Sequence, residues 1–300
     1  MLPDSRPRLR VAIVQTKPAK GRFAENLADV GDAFAQLAAW ETPPNLIVLP
    51  EAALTGYFLE GAVYDLARDA EQFALELATS WQATNAAHPV DIVCGFYENA
   101  SGTYFNSALY IRVTTDAHTI LHVHRKIFLP TYGVFDEERF LSRGRDVGVF
   151  ATPFGTAAIL ICEDVWHSLV PTIAAVKGAR LLIVPSASPG RGVDGDGDFV
   201  SVERWKQTLS MLASEHGIYI LYAGLAGFEG GKGMTGNSCI VDPHGRIVVQ
   251  GDQTEACILA GDLDAREIDR ARAQFPLLGD LSSVLTDLVN DLSSSLHTAR

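Results

Sequence analysis

The chain reads as an α/β protein, on three observations. Short apolar, β-branched runs alternate with longer segments of helical period, which is the pattern of strands covered by helices. The segment Asp242-Pro243-His244-Gly245 lies between two β runs and carries turn chemistry, so it reads as a hairpin and makes the sheet mixed rather than purely parallel. Hydrophobic residues make up 47% of the 300 positions, ample for a sizeable core.

In chain order, the apolar run at 10–15 is the first expected strand and the periodic segment 22–40 the first helix. Leu46-Ile47-Val48-Leu49-Pro50 gives a strand over 46–50, and a helix is expected over 64–86. Strands follow at 91–97, 104–111, 120–125 and 157–162, then a helix at 168–177 and a strand at 181–186. The stretch 189–198 holds too many glycines and acids for a regular element and reads as a loop, either an idle excursion or a lid over a site. A helix at 200–215, strands at 219–223, 238–241, 247–250 and 256–262, and helices at 265–273 and 281–297 complete the order. Phe199, Trp205 and Leu209 have the spacing of a helix's inner face. No long flexible linker or fixed-length repeat interrupts the pattern, so 1–300 reads as a single domain with 281–300 as a C-terminal helical extension.

A formal net charge of −12 argues against nucleic acid and anionic membrane as partners, because neither surface attracts an acidic body. Small molecules and other proteins are the expected partners. The four cysteines, Cys94, Cys162, Cys239 and Cys257, form no CxxC pair and no Cys/His cluster, so neither a metal site nor a disulfide framework is expected. The polar start, and apolar runs all shorter than the roughly 18 residues of a membrane span, lead to the expectation of a reduced, cytoplasmic protein.

Three reactive residues stand at the ends of strand-like runs: Glu51 after Leu46-Ile47-Val48-Leu49-Pro50, Lys126 after His122-Val123-His124-Arg125, and Cys162 after Ala158-Ile159-Leu160-Ile161. A thiol, a carboxylate and an amine delivered by rigid strands to one sheet edge are what thiol-based acyl transfer requires. Cys162 precedes Glu-Asp-Val-Trp, where the start of a helix would give the thiol thiolate character and supply amides for an oxyanion. Lys126 would stabilise developing negative charge, and Glu51 would accept the thiol proton and return it to a leaving amine. His122, His124 and His167 flank these segments and read as solvated side chains, and Cys94, Cys239 and Cys257 as structural.

Together these segments resemble the nitrilase, or carbon-nitrogen hydrolase, superfamily. Leu49-Pro50-Glu51 with Gly56-Tyr57 matches its glutamate segment, and Arg125-Lys126 with Leu129-Pro130 and Phe135-Asp136-Glu137 through Gly144 its lysine segment. Cys162-Glu163-Asp164-Val165-Trp166 matches the nucleophile segment, followed by Gly178-Ala179-Arg180, Pro185-Ser186-Ala187-Ser188 and Gly236-Asn237-Ser238 in the family order. The resemblance implies a four-layer α-β-β-α sandwich of two mixed sheets and a homodimer or higher homo-oligomer. It implies Cys162 as nucleophile, Glu51 as general base and acid, and Lys126 as electrostatic stabiliser. Glu137 supports the triad, the backbone amide of Glu163 completes the oxyanion hole, and no cofactor is implied.

Within the superfamily the motifs look most like the glutaminase domain of glutamine-dependent NAD synthetases. That likeness makes Tyr57, Tyr132 and Ser188 substrate-binding residues, with Trp166 as a pocket wall. The basic residue expected after the serine is replaced near Asp194, and Arg191 is the substitute. The chain ends at Arg300 without a pyrophosphatase-type glycine-serine signature, so the expectation is an amidase acting alone on a small carboxamide. A detached glutaminase subunit feeding ammonia to a synthetase is the alternative, and a catalytically silent binding module of the same fold a third. Nitrile hydrolysis ranks lower, because Glu163 stands where nitrilases carry tryptophan after the cysteine.

Overall fold

The computed structural model describes residues 8–193 and 199–298. In chain order the elements are β1 (Arg8–Gln15), α1 (Phe23–Ala38), β2 (Leu46–Val48), α2 (Val63–Leu66), α3 (Ala70–Gln82), β3 (Val90–Ala100), β4 (Thr103–Val113) and β5 (His118–Arg125). There follow β6 (Phe150–Thr152), β7 (Gly155–Ile159), α4 (Leu169–Val176), β8 (Leu181–Ser186), α5 (Val200–His216) and β9 (Tyr219–Gly224). The chain continues through β10 (Ala226–Glu229), β11 (Lys232–Thr235), β12 (Cys239–Val241), β13 (Ile247–Gln250), β14 (Cys257–Asp264), α6 (Ala265–Gln274) and α7 (Leu277–Thr298).

Two six-stranded sheets carry the fold, in the orders β14-β1-β2-β3-β4-β5 and β13-β12-β9-β8-β7-β6. Each has three parallel strands at its centre and antiparallel strands on both flanks, so both are mixed. Period-2 alternation assigns the two faces of the first sheet. Val11, Ile13, Leu46 and Val48 join the core shared with the second sheet, while Ala12, Val14, Ile47 and Leu49 pack with Phe34 and Leu37 of α1 and Phe73, Leu77 and Trp81 of α3. On the far face of the second sheet, Val170 and Ala174 of α4 and Trp205, Leu209 and Leu212 of α5 are buried. The layers are therefore α-β-β-α, as the family resemblance implies.

The Asp242–Gly245 turn joins β12 and β13 as an antiparallel hairpin. Asp242 Oδ1 accepts from the amides of His244 and Arg246. Other expectations need correction. The helix expected over 64–86 breaks in two because Ala67 turns extended and the Asp69 side chain caps a new helix, accepting from Gln72 N at 2.8 Å. β6 and the β10–β11 hairpin were not anticipated, and the last helix starts four residues earlier than expected, at Leu277 rather than 281. Phe199 precedes α5 instead of lying on its inner face, where Trp205 and Leu209 do sit. The choice between an idle loop and a lid at 189–198 depends on residues 194–198, which lie outside the described residues.

The parallel registers send β2, β7 and β8 in directions that place Glu51, Cys162 and Ser186-Ala187 at strand C-terminal ends. β5, antiparallel to β4 and so parallel to β3, delivers Lys126 to the same edge. Two glycines let the backbone close there. A Cβ on Gly95 of β3 would stand 2.5 Å from the Glu51 Cα and 2.7 Å from the Pro50 oxygen, and one on Gly144 would stand 2.0 Å from the Arg125 carbonyl oxygen. Gly95 N donates to Pro50 O and Gly95 O accepts from Ala53 N, so the turn bearing Glu51 is stitched to β3 at its closest approach. Gly95→Ala is expected to destabilise the fold by about 1–3 kcal/mol, the usual cost of overpacking, as a lower urea midpoint at unchanged m-value; an unaltered midpoint would show that the turn moves aside freely.

Candidate active site

Lys126, Glu51 and Glu137 form one buried cluster. Lys126 and Glu51 are solvent-inaccessible and Glu137 nearly so. The Lys126 ammonium donates to Glu51 Oε1 at 2.8 Å and to Glu137 Oε1 at 2.9 Å. Asn106, from β4, donates through Nδ2 to the same two oxygens at 2.7 and 3.0 Å, and its carbonyl accepts the Lys126 amide. Glu51 Oε2 reaches the other sheet and accepts from Ala187 N at 2.7 Å. Burial by itself lowers the lysine, but Glu137 and Glu51 outweigh it and hold the ammonium well above its ordinary range. Glu137 is raised by burial and by the charge of Glu51, against the pull of Lys126.

Cys162 opens a five-residue 3-10 turn, Cys162–Trp166, with a left-handed φ of 45°. Cys162 is 8% exposed; its thiol accepts from Ser186 Oγ at 3.2 Å, and Ser186 in turn accepts from Tyr222 OH. The expectation of thiolate character is overturned. Burial first, and then the negative charge of Glu51, push the thiol well above its ordinary range, and Lys126, Ser186 and the Ala187 amide only partly oppose them. The thiol form is thereby favoured over the thiolate.

Of the other residues singled out from sequence, Tyr57 and Tyr132 line two different cavities, and Ser188 lines neither. Tyr57 lies inside, its ring 5.5 Å from the Lys126 ammonium, and with Tyr97, Glu137 and Phe140 it lines a cavity of about 250 Å³. Tyr132, 47% exposed, donates to the Glu163 carboxylate at 3.0 Å and with Glu163, Trp166, Arg191 and Arg204 lines an outer cavity of about 600 Å³. Ser188 is buried and its hydroxyl accepts from Trp205 Nε1; Ser186, two residues earlier in the same quoted segment, is the serine beside the thiol. His124 is not solvated. It is buried and bonds Asp164 through Nε2 at 2.9 Å. His122 stacks on Phe150 and is held to about 4 by burial, hence neutral, and His167 stacks on Phe128.

Sequence reasoning missed Asn106, Ser186, Asp164 and Glu229. Glu229, on β10, accepts from the amides of Tyr57 and Phe58 and so clamps the segment following Glu51. Asp164 and Ser186 stood in quoted motifs, and the Gly230-Gly231 pair marked the hairpin that carries Glu229. Nothing in the sequence around Asn106 signalled its place. Among the described residues no group of acids, histidines and cysteines is placed to hold a metal ion, and no helix is long and apolar enough to cross a membrane.

A carboxylate, an ammonium and a thiol gathered at the joined ends of two sheets are the groups that thiol-dependent acyl transfer would use. The family model for carbon-nitrogen hydrolases matches residues 10–273, and the chain belongs to that family. It is 30% identical over 267 residues to a glutamine-dependent NAD(+) synthetase from Thermotoga maritima, a match covering 87% of this chain and 43% of the synthetase; the chain thus spans less than half the length of that relative. It is 26% identical to a 2-oxoglutaramate amidase from Bacillus subtilis, over 79% of this chain and 85% of the amidase. A carbon-nitrogen hydrolase from Helicobacter pylori shares the fold, with a TM-score of 0.83 at 24% identity over 95% of this chain and 98% of that one.

The opposed charges around the thiol predict opposed titrations. Glu51→Gln removes the charge that raises Cys162, so the thiol should ionise at lower pH than in the wild type. Lys126→Met removes the opposing cation and should move ionisation higher. The pH dependence of iodoacetamide alkylation, followed at the Cys162 peptide, reads both; shifts of the same sign in the two variants would contradict the electrostatics.

Proposed function

We propose that the chain is an amidase that cleaves a non-peptide C–N bond of a small carboxamide through a thioester on Cys162. The observation that carries this reading is the buried Cys162 thiol hydrogen-bonded by Ser186, in the same site where Glu51 is held between Lys126 and the Ala187 amide. The thiol proton passes to Glu51 as sulfur attacks the amide carbon. Lys126 and the backbone amide of Glu163 stabilise the oxyanion. Collapse breaks the C–N bond, the proton on Glu51 goes to the departing nitrogen, and ammonia or an amine leaves. Water then attacks the thioester, giving a proton to Glu51, and the carboxylic acid departs as the proton returns to sulfur. Asn106 and Glu137 fix the Lys126–Glu51 pair, and no step calls for a cofactor.

The outer cavity favours an amide that carries a carboxylate. The guanidinium of Arg191 lies over Tyr132 and Phe135, and that of Arg204 over Trp166; among the described residues neither has an ion-pair partner. The same feature supports the second reading, a glutaminase that feeds a synthetase, as does the likeness to the NAD synthetases. A soluble homo-oligomer acting in the cytoplasm completes the proposal.

Ammonia release should be measured for wild type, Cys162→Ala and Lys126→Ala across ω-amides of amino and oxo acids, simple aliphatic amides, N-carbamoyl amines and nitriles. Cys162→Ala should abolish release from one amide class, and Lys126→Ala should cost hundreds-fold, the usual loss of about 3–4 kcal/mol for a missing oxyanion donor. Arg191→Ala should raise KM about tenfold or more for carboxylate-bearing amides, since a charge-assisted hydrogen bond is worth about 1.5–3 kcal/mol. Release confined to nitriles, or unaffected by Cys162→Ala, would defeat the amidase reading, and silence on every class would favour the partner-dependent glutaminase or a non-catalytic module.

A further inference from the structure

We infer that Asp164 is a positioning residue that holds the thiol turn and the lysine segment in register across the two sheets, with His124 as its support. The inference rests on the proposed roles of Cys162 and Lys126. The Asp164 side chain is fully buried, and each of its oxygens accepts two hydrogen bonds. Oδ1 takes the amides of Ile127 and Phe128, both at 2.9 Å, the two residues that directly follow Lys126. Oδ2 takes the amide of Ile161 at 3.1 Å, the residue directly before Cys162, and His124 Nε2 at 2.9 Å.

One carboxylate thus joins the end of β5 in the first sheet to the end of β7 in the second, one residue from each reacting side chain. A second bond closes the ring locally, because the Asp164 amide donates back to Ile161 O at 3.0 Å. This reciprocal pair encloses Cys162, whose left-handed φ of 45° is a conformation L residues hold only where their surroundings enforce it. His124 and Lys126 lie on the same strand segment, so the imidazole braces the carboxylate from the lysine's own side. Asp164 bonds neither the thiol nor the ammonium. Its effect therefore falls on the placement of reacting atoms, where an error of about 1 Å costs on the order of 100-fold, and leaves the outer substrate contacts intact.

The substitutions follow from donor counting. Asn at 164 presents one acceptor oxygen and one NH2 group, so at least one pair of donors meets another donor. Gln at 124 can return a side-chain N–H toward Asp164, whereas Leu cannot. In the full chain, with the amide identified by ammonia release, Asp164→Asn is expected to lower kcat about 10- to 100-fold with KM within about threefold. His124→Leu should lower kcat about five- to tenfold and change the Cys162 alkylation rate at least threefold, and His124→Gln should bring both back to within about twofold of wild type. Loss appearing in KM alone, a kcat for Asp164→Asn within twofold of wild type, or indistinguishable His124→Leu and His124→Gln would overturn the inference. If Asp164→Asn fails to fold, the His124 pair decides. If the wild type releases no ammonia, the amidase reading fails separately, and the alkylation rates of the His124 pair still test the positioning role.

Discussion

The structure depends on a charge held where water cannot reach it. An ammonium and two carboxylates, Lys126, Glu51 and Glu137, occupy the joined ends of two sheets, and removing such ions from water costs several kcal/mol each even after relaxation. The cost is offset in part by directed bonds to the ammonium, to both oxygens of Glu51 and to Glu137 Oε1, although Glu137 Oε2 and Asn106 Oδ1 are buried without a partner. Asn106 Nδ2 serves both carboxylates and the Ala187 amide serves the second oxygen of Glu51. Loss of one member would strand the rest, which ties the fold's stability to the composition of its reactive centre.

The sandwich supplies what this cluster needs. Parallel central strands deliver several chain segments to a single edge, and the closeness of two sheets puts Glu51 from one within hydrogen-bond reach of Ala187 from the other. Rigid strand ends place the groups, and the cross-sheet bonds of Glu51 and Asp164, with the clamp of Glu229 from the β10–β11 hairpin, keep the short connecting turns from drifting. The neutral thiol fits this arrangement. Burial disfavours the free thiolate, and in the proposed mechanism the nucleophile forms only as Glu51 takes the proton during attack, which would limit side reactions of an idle thiolate.

Much of this was legible in the sequence because strand ends are legible. An apolar run stops where a charged or reactive residue begins, and that placed Glu51, Lys126 and Cys162 at one edge; the hairpin at Asp242–Gly245 declared itself by turn chemistry. The break at Asp69 was also written there, as a capping acid with Gln72 three residues on. Other features depend on partners distant in the chain. Asn106 meets Glu51 across 55 residues, and Ala187 meets it across 136. Alternation tells which face a residue takes but not what stands opposite, so Ser186 could not be told from Ser188 nor buried His124 from a solvated histidine. The thiol's state was misjudged for the same reason: a short turn after a strand suggested activation by backbone amides, while the surrounding burial, set by both sheets, controls it.

The proposed thioester, common to every amide that shares an acyl group, is open to nucleophile partitioning. With hydroxylamine present, an amide and its N-methyl analogue sharing one acyl group should yield the same ratio of hydroxamate to acid, and Cys162→Ala should yield neither. A ratio that changes with the leaving group would mean that water attacks the amide without a common intermediate, and the role assigned to Cys162 would be wrong.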